Sequence, residues 1–367
     1  MEPDYQGFEQ GPIRPPSEAG SLLLRVTRNC PWNRCKFCPV YKGTEFSFRP
    51  VAHVKRDIDA VYRCVRELEG APTRGEPLDP LAWQAARHWV AAGQRQVFLQ
   101  DANSLVLKPS DLLTILRHLK SRFPEMKRIT SYARSSTVAR LSAGDLAALK
   151  AAGLDRLHLG LESGADEVLR LMHKGTTQRN QVAAGLKVKD AGMELSEYYM
   201  PGLGGQGLWQ THARETAAAL NRINPDFIRL RTLAIPRHLP LYADYQAGRF
   251  HKPTDVEMAR EILLLLESLK GITSVIASDH ILNLLPGFEG VLPRDQARMI
   301  RVVEDFLALD SEARCLFQVG RRTGIMSRLG QLEDPDRVAR VTAICREHGI
   351  TPQNVDHWTD ELMRQFI

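Results

Sequence analysis

Three of the six cysteines, Cys30, Cys35 and Cys38, fall in one stretch, RNCPWNRCKFCPVY, with C-x4-C-x2-C spacing. Thiolates are soft ligands, and thiolates clustered in a loop suit zinc or an iron–sulfur cluster. A closed structural zinc site needs a fourth ligand. No histidine or further cysteine lies close on either side of the trio, and His53 is the nearest histidine. Three thiolates on a four-iron cluster leave one iron open to a small molecule, which a purely electron-carrying cluster does not need. Cys64, Cys315 and Cys345 stand apart from one another in apolar, helical-looking contexts, the ordinary setting of a buried free thiol.

The trio directly follows the apolar run 21–27, which reads as a short strand, so the thiols occupy a loop at a strand end. Further strands are expected over 96–100, 128–132, 156–161, 194–200 and 227–233. Helical patterns lie between them over 110–122, after Ser142 to 152, and over 165–172, 178–191 and 208–221, with Ser110 as an N-terminal cap. This alternation argues for βαβ units and a parallel sheet, closed into a barrel or doubly wound. In barrels, chemistry gathers at the C-terminal strand ends. Polar or glycine-rich segments do follow the expected strands: the cysteine loop, Asp101-Ala102-Asn103-Ser104, Ser131-Tyr132-Ala133-Arg134, Glu162-Ser163-Gly164, Gly202-Leu203-Gly204-Gly205 and Arg229-Leu230-Arg231-Thr232. Past Pro240 the pattern changes to helices over 254–269, 293–309 and 337–348, with a strand-like run at 274–277. Three regions follow: an irregular lead-in over 1–20, the alternating region over 21–240 and a mainly helical extension over 241–367.

Composition sets the limits. The chain has 367 residues, 43% hydrophobic and 25% charged, as ordinary globular proteins do. Its net charge of +6 comes from basic and acidic residues mixed along the chain, so a solvated surface is expected and nucleic acid is not indicated. No apolar run reaches the ~18–20 residues of a membrane span. The polar, proline-rich start has no signal-peptide form, which makes the cytoplasm the expected compartment.

The trio after the first strand, with Phe37 immediately before the last thiol, resembles the cluster loop of the radical S-adenosylmethionine (SAM) superfamily. The commonest spacing there is C-x3-C-x2-C, and a loop absorbs the extra residue found here. The resemblance covers about residues 21–235 and is nearest the branch of oxygen-independent coproporphyrinogen oxidase-like and elongator-type proteins. It implies an α/β fold, a partial (β/α)6 TIM-type barrel with a helical C-terminal extension. It also implies that Cys30, Cys35 and Cys38 hold an oxygen-sensitive [4Fe–4S] cluster whose open iron SAM chelates, with Phe37 on the adenine side.

Further residues follow from the same likeness. Asp101 and Asn103 stand where the superfamily usually has a Gly-Gly-Glu-like turn for the SAM amino group, and an ordinary turn is their other reading. Arg134 would pair with the SAM carboxylate through its planar fork, with Ser131 beside it, unless it is a solvated strand-end arginine. Glu162 resembles part of a recurrent strand-four signature and would accept from the ribose hydroxyls or the ammonium, with Ser163 close by. The run 202–207 matches G-x-G-x-x-G, but it follows the fifth strand and not the first. A glycine turn around Gly204 suits close backbone approach to SAM, and Arg231 ends the sixth strand in the same group. His280, with Asp279, would serve a proton role over the substrate or a structural hydrogen bond. Tyr199 would donate to a substrate radical or pack in the core.

The implied activity is reductive cleavage of SAM to a 5′-deoxyadenosyl radical that abstracts hydrogen from a small-molecule or macromolecular substrate. The electron would come from an external low-potential donor such as flavodoxin or ferredoxin. The rival reading is a non-catalytic iron–sulfur or metal-binding regulator on a barrel scaffold.

Overall fold

The computed structural model describes residues 4–71, 77–93, 95–286 and 288–366. Two compact units are present, each assembled from separated segments. The first comprises Met1–Asn33, Val40–Gly160 and Ala183–Ser196, and the second Arg34–Pro39, Leu161–Val182 and Glu197–Ile367.

In the first unit, strands β1 (Leu22–Arg25), β2 (Gln96–Gln100), β3 (Arg128–Ala133) and β4 (Leu154–Glu162) are sheet neighbours in that order, followed by β5 (Glu194–Tyr199). β1 to β4 pair in parallel, with Leu24 opposite Leu99 and Phe98 opposite Thr130. Val97, Phe98 and Leu99 are fully buried, as strands covered on both faces must be. Helix α1 (Val51–Leu68) presents Val54, Ile58 and Val61 at helical spacing and buries all three. Neither α1 nor α2 (Pro80–Ala91) was among the helices expected, although Asp79 caps α2 from its side chain and Pro80 opens it. The helix α3 (Pro109–Arg122) begins before Ser110, with Lys108 at its N-cap, so Ser110 is not a cap. Ser142 is one: it forms a reciprocal capping box with Asp145 at the start of α5 (Ala143–Ala151), which follows the short α4 (Ser135–Val138).

The lead-in is irregular except for a 3-10 turn over Pro16–Glu18. Gln100 holds it, accepting from Gly11 N at 2.8 Å and donating to Ile13 O at 2.6 Å.

In the second unit, the ends of β4 and β5 continue the sheet to β6 (Phe227–Leu230), β7 (Val275–Ala277) and β8 (Gly290–Val291). β6 and β7 pair in parallel, Ile228 opposite Ile276, and β8 pairs antiparallel to β7. The sheet thus continues past residue 240 because the apolar run at 274–277 pairs with β6 and does not stay in a helical layer. Around it lie α6 (Asp166–Leu171), the start of α7 (Gln178–Asp190), whose later residues belong to the first unit, α8 (Gly205–Ile223), α9 (Pro240–Gln246) and α10 (Asp255–Ser268), the last opened by a Thr254–Glu257 capping box. Helices α11 (Gln296–Ala308), α12 (Ser311–Arg322), α13 (Pro335–Glu347) and α14 (Val355–Met363) complete the unit. α12 and α13 bring together two thiols that stand apart in sequence. Cys315 and Cys345 are hydrogen-bonded, and burial first, with Cys345 next, pushes the Cys315 pKa up to about 12.

Candidate cofactor site at the strand ends

The cysteine loop belongs to both units: Cys30 lies in the first, Cys35 and Cys38 in the second. Two asparagines shape its first-unit part. Asn29 and Asn33 adopt left-handed φ of 66° and 41°, which asparagine tolerates better than most residues. The Asn33 amide N–H points back to the Cys30 sulfur at 3.5 Å, so the longer C-x4-C spacing is taken up by a turn. Its side chain donates to Tyr41 O at 2.6 Å and Thr44 O at 3.2 Å, and Lys42 Nζ donates to Asn33 O at 2.8 Å.

Asp101 is fully buried, and its carboxylate is occupied by protein donors. Oδ2 accepts from the Arg25 guanidinium at 2.8 Å and from Asn29 N at 2.9 Å. Oδ1 accepts from the Tyr41 hydroxyl at 2.7 Å. Asn103 is also engaged, accepting from Arg134 N at 3.0 Å and donating to Thr137 Oγ1 at 2.9 Å. The Arg134 guanidinium lies over the Trp32 ring of the cysteine loop, 4.9 Å from its centroid. Ser131 is buried and directs its hydroxyl at Leu99 O and Tyr132 O, 3.3 and 3.1 Å away.

In the second unit, a cavity of about 70 Å³ is lined by Phe37, Cys38, Glu162, Met200 and Arg231, among others. Glu162 has φ 62°, where the chain turns sharply out of β4. Lys174 Nζ stands 3.4 Å from its Oε1 and 5.8 Å from the centre of the Phe37 ring. The Arg231 guanidinium has no hydrogen-bond or ion-pair partner among the described residues. Its neighbour in sequence position, Arg229, is paired with Asp279. His280 Nδ1 accepts from Leu282 N at 3.2 Å, which leaves any ring proton on Nε2. Burial, then the positive charge of Arg231, push the His280 pKa down to about 4.

Behind that cavity, four buried polar side chains form a network among α8, α10 and the strand ends. His212 Nε2 donates to Met200 O at 3.1 Å, so its Nδ1 accepts from the Ser163 hydroxyl at 2.8 Å. Ser163 also accepts from Ala165 N at 3.0 Å. Tyr199 donates to Glu261 Oε1 at 2.5 Å, and Gly202 N donates to the same oxygen at 3.0 Å. Burial pushes the Glu261 pKa up to about 8 and the His212 pKa down to about 4. Gly204 sits in this layer too: a Cβ there would stand 2.9 Å from the His212 Cβ and 3.0 Å from Leu208 backbone. Glu197, on β5, is buried. Burial holds its pKa well above the usual carboxylate range, against the opposing pull of Lys174.

The geometry therefore groups Phe37, Cys38, Glu162 and Arg231 around one cavity, while Ser163, Tyr199 and Gly204 belong to the layer behind it. Sequence reasoning passed over Lys174, Met200, Tyr41, His212 and Glu261. Lys174 lies in the turn after α6, before Gly175 with its left-handed φ of 69°.

The radical SAM superfamily description matches residues 24–214. The chain belongs to that superfamily. A radical SAM chain of this kind is an enzyme, α/β in fold with a mostly parallel sheet, and the superfamily's chemistry runs on a [4Fe–4S] cluster and SAM. Among its relatives are a tRNA uridine(34) acetyltransferase from Methanocaldococcus infernus, 23% identical over 70% of this chain and 51% of its own length, and a 4'-phospho-dehydrooxetanocin synthase from Priestia megaterium, 25% identical over 48% and 22%. This radical SAM chain thus spans about half the length of one curated relative and less of the other. Among solved structures, methylornithine synthase matches with TM-score 0.45 at 15% identity over 78% of this chain and 82% of its own. Coproporphyrinogen III oxidase from Escherichia coli matches with TM-score 0.41 at 17% identity over 64% and 48%.

Proposed function

We propose that Cys30, Cys35 and Cys38 hold a [4Fe–4S] cluster and that SAM binds beside it in the cavity shared by Cys38, Phe37, Glu162 and Arg231. That shared cavity is the observation that carries the reading. A thiol, an aromatic ring, a carboxylate and a guanidinium line one small space, and they match the needs of a zwitterionic amino-acid head with an aromatic base. Among the described residues no three His, Cys, Asp or Glu side chains form a ready-made metal cage. Assembly of a metal centre ordinarily gathers its own ligands, so the donor set and not a preformed cage is what must fit. Three thiols in nine residues, one already accepting an amide N–H, do fit.

When bound, the cluster supplies the electron that cleaves SAM to methionine and a 5′-deoxyadenosyl radical, which abstracts hydrogen from substrate. The chain's residues bind and shield. Glu162, steadied by Lys174, accepts from the ammonium or the ribose hydroxyls, and Arg231 pairs with the carboxylate. Phe37, Met200 and the adjoining Leu233 and Ala234 exclude water from the site. With its pKa near 4, His280 stays neutral at physiological pH and offers Nε2–H as a hydrogen-bond donor, not as an acid. Asp279 keeps Arg229 in place. In this reading Ser163, Tyr199 and Gly204 position the strand ends, and Asn103 and Ser131 fix the turns of the first unit. Radical SAM enzymes typically draw their electron from an external reductant, here a low-potential donor such as flavodoxin or ferredoxin. Among the described residues no helix is long and apolar enough to cross a membrane.

Anaerobic reconstitution with iron and sulfide, followed by dithionite and SAM, tests the proposal. The expected product is 5′-deoxyadenosine. A protein that binds the cluster but forms none is a regulator and not an enzyme. Cys35→Ala should lose iron and brown colour, and a variant that keeps both contradicts the ligand assignment.

A further inference from the structure

The three thiols lie between Asn29 and Tyr41, two residues that both belong to the first unit. Both ends are held by one buried carboxylate. Asp101 Oδ2 accepts from Asn29 N, the residue before Cys30, and Oδ1 accepts from the hydroxyl of Tyr41. The charge of that carboxylate is balanced by Arg25, whose guanidinium reaches Oδ2 at 2.8 Å and the Asn29 side-chain oxygen at 3.1 Å. Asn29 in turn donates to Glu45 O at 2.5 Å, beyond the far end of the loop. Asp101, Asn29 and Tyr41 are therefore a closed set of contacts around the base of the cysteine loop.

We infer that Asp101 is the positioning residue of the cluster loop, acting through Asn29 and Tyr41, and not a ligand of SAM. Several observations exclude the ligand role and support the clamp. Asp101 has no solvent exposure, and both its oxygens already accept from protein donors. Even the space in front of it is filled, since a side chain at Gly11 would stand 2.5 Å from Oδ1. Only an ionised carboxylate accepts at both oxygens, and only a carboxylate neutralises Arg25. A neutral amide leaves one of these donors without an acceptor. The loop ends then separate more readily, and the thiols must be gathered from a wider range of positions each time the cluster forms.

The inference rests on the cluster assignment above, and the test separates the two. Asp101→Asn is the direct variant. Tyr41→Phe is the milder one, removing a single hydroxyl and leaving Arg25 paired. Hydrogen exchange at residues 29–44 of the metal-free chain reads the clamp without any cluster. Iron release from the reconstituted protein to a ferrous chelator reads its consequence. Faster loop exchange in both variants is expected, together with iron release accelerated roughly tenfold, the lower end of what outer-shell changes do to metal affinity. The melting temperature of metal-free Tyr41→Phe should remain near that of the parent, since a purely structural contact would lower it without singling out the loop. Loop exchange and iron release at parental rates in both variants overturn the inference. So does an increase in exchange spread evenly over the first unit. A parent chain that takes up no cluster refutes the cluster assignment, and the exchange result then decides the clamp by itself.

Discussion

Replacing Glu261 with glutamine should flatten a pH dependence in the stability of the second unit. Glu261 is wholly buried in α10, with Tyr199 and Gly202 N on Oε1 and, among the described residues, no partner on Oε2. Burial raises its pKa from 4.5 to about 8, and the bonds from Tyr199 and Gly202 offset only part of that. A carboxyl whose folded pKa lies above its unfolded value contributes stability that is fully present below the unfolded pKa and is lost as pH rises through the folded one. The window is therefore pH 4.5 to 8. His212, 3.5 Å from the same oxygen, has the opposite sign. Its folded pKa of about 4 lies below the ordinary 6.5, so its contribution falls as pH drops from 6.5 toward 4. The two slopes oppose one another below pH 6.5, and only Glu261 acts between pH 6.5 and 8. Each unit is worth about 1.4 kcal/mol, flattening near the folded pKa, so the loss across that interval is roughly 1.5 kcal/mol. Urea unfolding of the parent and of Glu261→Gln at pH 6.5 and pH 8, followed by circular dichroism, measures it. The expected result is that the free-energy difference between the two proteins shifts by roughly 1.5 kcal/mol in favour of the variant at pH 8. An unchanged difference at the two pH values would refute the assignment of a raised pKa to Glu261.

Other outcomes follow from the same geometry. Glu162→Gln should weaken SAM binding by roughly tenfold in equilibrium dialysis, the loss of a charge-assisted contact, and leave the iron content unchanged. Gly164→Ala would put a Cβ 2.4 Å from Glu215 O, so a loss of about 3 kcal/mol or no folded protein is expected in denaturant titration. Cys315 and Cys345 are almost fully buried, and the Cys315 thiolate is scarce with a pKa of about 12, so a thiol-reactive probe should label neither until the chain unfolds.

The expected strands all occur, because near-continuous apolar runs such as Val97-Phe98-Leu99 suit only a strand covered on both faces. Thr254 and Ser142, each followed three residues later by an acid, mark true helix starts for the same local reason. Ser110 misleads because Pro109 already sits at the first helical position and Lys108 takes the cap. Of the two helices outside the expected set, α1 starts after Pro50 with no side-chain cap to mark it, whereas Asp79 and Pro80 do mark the start of α2. In the candidate site, Cys38, Phe37, Glu162 and Arg231 were legible as polar or special residues directly at strand ends. Lys174 was not, because it reaches Glu162 from the turn after α6.

The order of residues alone determined the trio of thiols, the alternation of strand and helix, and with them the superfamily and its two cofactors. Those features are local, set by ligand chemistry and by side-chain periodicity. Which polar groups face a cavity and which are consumed by other protein groups was decided only by tertiary structure. Asp101 and Ser163 follow their strands just as Glu162 does, yet one is enclosed by Arg25, Asn29 and Tyr41 and the other by His212 and Ala165. A buried donor or acceptor must find its complement, and that complement is supplied by chain far away in sequence.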